Sequence, residues 1–149
     1  MPFKKIFLLS IPLALLLFVA WVYFAISGLS PDYSPTFEKI KFSNEETSDS
    51  VFIKKKVWGV LANHQIIVIS KNGKVPFSPD STADYVFDSW SPFFYKFEND
   101  TLFTFVLKES QSPVSFKSGI TVKQNVLSSP EMINLIETYQ DKGIILFAR

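Results

Sequence analysis

From Ile6 to Leu29 the chain reads IFLLSIPLALLLFVAWVYFAISGL, with no charged side chain, directly behind Lys4 and Lys5. A helix made from this run has no polar stripe, so it cannot lie with one side in water and one in a core. At about 1.5 Å of rise per residue, about 20 apolar residues cross the roughly 30 Å of bilayer hydrocarbon. Ala25-Ile26-Ser27 offers the small residues that a signal peptidase reads. The apolar stretch before it nevertheless exceeds the roughly 7–15 residues of a signal-peptide core. Residues 1–29 are therefore expected to form an uncleaved transmembrane anchor that meets the lipid bilayer through residues 6–29. Lysines ahead of the span favour a cytoplasmic N-terminus, and Trp21 and Tyr23 suit the far headgroup layer. Pro12 is tolerable in a membrane helix, where neighbouring groups re-satisfy the freed carbonyl. The expected placement is a single pass through the inner (cytoplasmic) membrane, with the C-terminal domain outside the cytoplasm.

The chain contains no cysteine. Disulfides, thiolate zinc sites, iron–sulfur ligation and cysteine nucleophiles are excluded. A small exported eukaryotic domain usually carries disulfides, so the compartment expected is a bacterial periplasm. The formal charge of the whole chain is +1, and Lys4 and Lys5 precede the apolar run. The remainder is near neutral, without the broad basic surface that tracks a phosphate backbone, and nucleic acid is not an expected partner.

Ser30 to Pro35, SPDYSP, reads as a helix-breaking linker. The loosely alternating Thr36–Ser43 and the polar Asn44–Ser50 complete a segment, residues 30–50, of linker and first extended chain. Residues 51–149 are expected to be the folded domain. Val51–Ala62 and Gln65–Ser70 are strand candidates, joined at Asn63-His64. Asn72-Gly73 is a turn signal. Val75–Asp84 reads as an extended loop and Asp84–Trp90 as a short strand.

The aromatic stretch Ser89–Glu109 poses a register problem. Phe93, Tyr95 and Phe97 share one strand parity, and Phe103, Phe105 and Leu107 share another. A three-residue loop at Asn99-Asp100-Thr101 pairs Phe97 with Phe103 and Tyr95 with Phe105, which gathers the rings on one face. A one-residue slip would invert the faces. Trp90 and Phe94 fall off that face. Either a second layer covers them, or they form an aromatic patch facing a partner.

Val114 to Val126 alternates apolar and polar residues and is expected to be one long antiparallel strand with a wet face, Gly119 marking a bulge. Ser128–Asp141 has Pro130 and Glu131 at a helix start. Met132, Leu135, Ile136 and Tyr139 lie at helical spacing, and Gly143 at the stop. Ile144–Ala148 is apolar on both parities and is expected to be an interior strand. The fold class is α+β: the anchor helix, then a mostly antiparallel sheet with one C-terminal helix and a final interior strand.

No motif that carries a reaction is present. His64 is the only histidine, and a catalytic set around it requires tertiary contact. Asp80, Asp84 and Asp88 recur at every fourth residue without the glycine and alternation of a calcium loop. Lys54-Lys55-Lys56 reads as protection of an edge strand. Asn99-Asp100-Thr101 matches a glycosylation sequon. No cofactor and no metal is implied. The expected function is a membrane-anchored, non-enzymatic interaction module with an envelope protein as partner. The alternative is a small envelope hydrolase assembled around His64.

Overall fold

The computed structural model describes residues 15–25, 34–59, 63–88 and 91–148. They divide into two compact units, one ending at Ser34 and one beginning at Pro35. In the first, residues 15–25 form helix α1, with Leu16, Trp21 and Phe24 exposed. Among the described residues, no helix is long and apolar enough to cross a membrane. Residues 6–14 and 26–29 of the expected span lie outside the described residues.

The second unit holds β1 (Thr36–Ser43), β2 (Ser50–Trp58), β3 (His64–Ser70), β4 (Tyr85–Asp88), β5 (Phe93–Glu98), β6 (Thr101–Val106), β7 (Thr121–Val126), α2 (Ser129–Thr138) and β8 (Ile145–Ala148). They form two four-stranded sheets rather than one: sheet A in the order β1-β2-β3-β4 and sheet B in the order β7-β6-β5-β8. Neighbours are antiparallel except β6 and β7, which run parallel. The class is α+β and mostly antiparallel. β1, which the sequence reading set in the linker segment, is a full member of sheet A.

Inward-facing apolar residues make the sandwich. Val51, Ile53, Ile67, Ile69 and Phe87 from sheet A meet Phe93, Tyr95, Leu102 and Val106 from sheet B in one core. Edge-to-face rings cross between the sheets, Phe87 to Phe93 at 5.0 Å and Phe42 to Tyr95 at 5.4 Å. α2 lies on the other face of sheet B. There Met132 and Leu135 form a second cluster with Phe94 and Ile144, extended by Phe105, Ile136 and Tyr139. The helix starts where its sequence said: Glu131 accepts from Ser128 N at 2.8 Å and from Ser128 Oγ at 2.6 Å. Those two bonds hold the Glu131 carboxyl below its usual pKa. Gly143, at φ 63°, turns the chain out of the helix toward β8.

The hairpin register differs from the expected one. Phe97 pairs with Leu102, Tyr95 with Thr104 and Phe94 with Phe105. The loop is two residues, Asn99 and Asp100, both left-handed at φ 48° and 54°, the signature of a type I′ turn. The three-residue loop followed from assuming one dry face. Both faces bury rings here, because the sandwich covers one and α2 packs on the other around Phe94 and Phe105, so apolar parity does not choose the register. Phe94 is 0 % exposed, tilted against Tyr139 at 5.3 Å. It is covered by the chain's own helix and has no surface to offer a partner. Trp90 lies outside the described residues.

Two other strands differ as well. Val114 is 93 % exposed and residues 114–118 form no strand; the expected long antiparallel strand shrinks to β7. The segment before it is a crossover, which a parallel β6–β7 pair requires. It is pinned to the loop before β4, where Ser115 donates to Thr82 O from N at 3.1 Å and from Oγ at 2.5 Å. β8 is an edge strand, paired with β5 alone, not an interior one. Its apolar run has another cause. A bulge opposite Phe93 and Phe94 sends Phe147 and Ala148 into the sandwich while Leu146 faces α2.

Thr104 is 0 % exposed, and its Oγ1 has no hydrogen-bond partner among the described residues. A buried unpaired hydroxyl costs about 1–3 kcal/mol. Thr104→Val is expected to raise the stability of the full chain by about 1 kcal/mol or more in denaturant titration. At the turn, Asp100→Val is expected to lower stability by about 1–2 kcal/mol, while Asp100→Gly leaves it level or higher. Equal stabilities for the two turn variants would refute the left-handed turn.

Candidate functional site

The three lysines of β2 separate by strand parity. Lys55 turns toward the rim of the sandwich, where its Nζ pairs with Glu38 at 2.9 Å and donates to Phe147 O at 3.4 Å. Lys54 and Lys56 take the outer face of sheet A with Phe52 and Trp58. Three cations on this face lie over rings: Lys39 over Phe52 at 5.7 Å, Lys54 over Phe77 at 4.7 Å, Lys56 over Trp58 at 5.1 Å. β2 is flanked by β1 and β3, so the edge-strand protection expected of Lys54-Lys55-Lys56 is wrong: the run lies on an interior strand.

Residues 71–84 fold over this outer face. Lys39 Nζ donates to Gly73 O at 2.9 Å. Gly73 lies so close to the Phe52 ring that a Cβ would meet it at 2.7 Å. Asn72 N donates to Ser70 Oγ at 3.1 Å, and Asn72 Oδ1 accepts from Lys74 N at 3.0 Å, so the turn signal at Asn72-Gly73 is realised as a side-chain-capped turn rather than a hairpin. Phe77 is buried against Lys54 and meets Phe37 edge-on at 5.8 Å.

The acidic residues of this segment do not converge. Asp80 accepts from Thr82 Oγ1 at 2.7 Å and from Thr82 N at 2.9 Å, which holds its carboxyl below the usual range. Asp84 turns inward and is 8 % exposed. The Asp88 side chain lies outside the described residues. Among the described residues, no group of three or more His, Cys, Asp or Glu is placed to hold a metal.

Between loop and sheet lies a pocket of about 290 Å³, walled by Lys54, Ser70, Asn72, Lys74, Phe77 and Asp84 among others. Lys54 is 2 % exposed, among the largest fully buried side chains. Burial pushes its pKa down, the Asp84 charge opposes that shift, and Lys39 adds to it. Among the described residues, no hydrogen bond or ion pair ties its ammonium; its close contact is the Phe77 ring. A polar pocket lined by a buried cation and a buried carboxylate is equipped to bind a small charged solute. The sequence signal for it was weak. Strand alternation puts Lys54 on the Phe52 side, but nothing local says that a loop will close over that side.

His64 opens β3, is exposed, and stacks on Trp58 at 5.6 Å. No protein-family model matches the chain, and no curated protein or solved structure matches it either.

The depressed Lys54 pKa sets a pH dependence. Its unfolded value is near 10.5. Below the lowered folded value both states hold the proton, and the fold bears the whole penalty of burying the cation. Between the folded and unfolded values, the unfolded chain binds a proton the fold has released, so stability rises with pH. Comparison with Lys54→Met cancels the other titrating groups. Wild type is expected to gain stability relative to Lys54→Met as pH climbs from neutral to about 10. A gap that stays constant with pH would refute the shift.

Proposed function

We propose that this chain is a single-pass protein of the bacterial inner membrane, N-terminus in the cytoplasm, whose C-terminal unit acts in the periplasm as a non-enzymatic binding module for an envelope protein. The observation that carries the reading is the uncharged run from Ile6 to Leu29 behind Lys4 and Lys5. The unit that begins at Pro35 supports it as a separate globular body. Binding is favoured because two buried charged residues, Lys54 and Asp84, line one pocket, and His64 is not part of that lining.

Protease added to spheroplasts is expected to digest the region after Ser30, and mass spectrometry of untreated protein to find the native N-terminus. A mature chain starting at Gly28, or protection of the domain from protease, would refute the anchor. A cross-linked envelope adduct formed by wild type is expected to persist in His64→Ala. Its loss in a folded His64→Ala protein would favour the hydrolase reading instead.

A further inference from the structure

We propose that the pocket beneath residues 71–84 is a binding site for a small zwitterion of the free amino-acid class, with the ligand carboxylate on the Lys54 ammonium and the ligand ammonium on the Asp84 carboxylate. The assignment is independent of the tether and of any protein partner.

Lys54 is the cationic half of the site. Its ammonium has three N–H donors, and its close contact is the face of Phe77 at 4.7 Å. A ring face stabilises the cation without accepting those bonds along lone pairs. Such a donor set, 2 % exposed at the pocket wall, is matched by a carboxylate, which is acceptor-only. Asp84 supplies the opposite requirement. It is buried in the lining of the same pocket and its carboxylate accepts only, so it is matched by an ammonium. Asp80 also lines the pocket, but it is exposed to water and its Oδ1 takes both bonds from Thr82, whereas Asp84 is buried. The acid that meets the ligand is therefore Asp84.

Charge balance excludes simple ions. Lys54 and Lys74 oppose Asp80 and Asp84 around the pocket, with Lys39 bonded outward to Gly73 O. A lone anion gains from Lys54 and is opposed by Asp84; a lone cation meets the reverse. One molecule carrying both charges satisfies both. Ser70, 1 % exposed, accepts from Asn72 N and keeps its hydroxyl proton to donate to a carboxylate oxygen. The volume of about 290 Å³ lies near the lower end of small-molecule sites, which run from about 300 Å³ upward. A bound carboxylate would restore the Lys54 cation that burial disfavours, so binding and Lys54 protonation are linked.

The test uses the full chain in detergent micelles with ¹³C-labelled lysine. The Lys54 ε-carbon resonance is assigned by its loss in Lys54→Arg, or by its low titration midpoint should that variant not fold. Glycine, L-alanine, acetate and methylammonium are titrated separately at neutral pH. The expected result is a saturable shift of Lys54 with glycine or alanine and a higher Lys54 midpoint in their presence. Acetate and methylammonium should each bind at least about tenfold more weakly. Asp84→Asn should weaken amino-acid binding by about tenfold or more and leave acetate binding equal or stronger. The proposal is overturned if Lys54 does not move with either amino acid, if acetate moves it equally well, or if its shift only parallels that of the exposed lysines.

Discussion

The β5–β6 hairpin buries rings on both faces, and the architecture of the C-terminal unit follows from that. Its strands present rings on both parities, Phe93 and Tyr95 one way, Phe94 and Phe105 the other. Neither face can be left to water. Sheet A closes over the first and α2 over the second, which stacks helix, sheet, sheet and covering loop in that order. The tight turn at Asn99-Asp100 fixes the register that makes this double burial consistent. Thr104 is the cost of that register: it enters the core between Leu102 and Val106 because its neighbours' parity puts it there.

Sheet A solves the opposite problem. Its inner face joins the sandwich, while its outer face carries Lys54 and Lys56 between the rings of Phe52 and Trp58 along β2. A charged outer face would ordinarily stay wet. Here residues 71–84 lie down on it, held by Lys39 to Gly73 O and by Phe77 over Lys54. The loop converts an exposed lysine into a buried one and brings Asp84 in with it. Ser110 ties the structure together at another point: its Oγ accepts from Val86 N at 2.8 Å, while its backbone N and O bond the side-chain amide of Gln124 at 2.8 and 2.9 Å. β4 of one sheet and β7 of the other are thereby linked through one short segment.

Much of the local structure was legible. The helix around Met132 and Leu135, its start at Ser128 and Glu131 and its glycine exit follow from spacing and cap chemistry within a few residues of each other. Strands β2 and β3 follow from β-branched runs. The errors have two origins. The hairpin register and the interior placing of Ile144–Ala148 were inferred from an assumption about which faces are covered, and the edge role of Lys54–Lys56 from a lysine run whose strand neighbours the local pattern does not show. Phe94 shows the limit clearly: the same ring is a partner-facing patch or a core residue depending on a helix more than thirty residues later.

What the sequence determined by itself are the properties set by neighbours along the chain: the uncharged run behind two lysines, the absence of thiol chemistry, the helix and its caps, and the existence of the strands. These depend on interactions that span a few residues and so are written in periodicity and composition. Only the tertiary structure decided which strands join which sheet, which face of each is dry, and that Lys54 and Asp84 share one pocket. Those outcomes rest on contacts between residues far apart in sequence, where cover by a distant element, rather than local pattern, sets whether a side chain meets water.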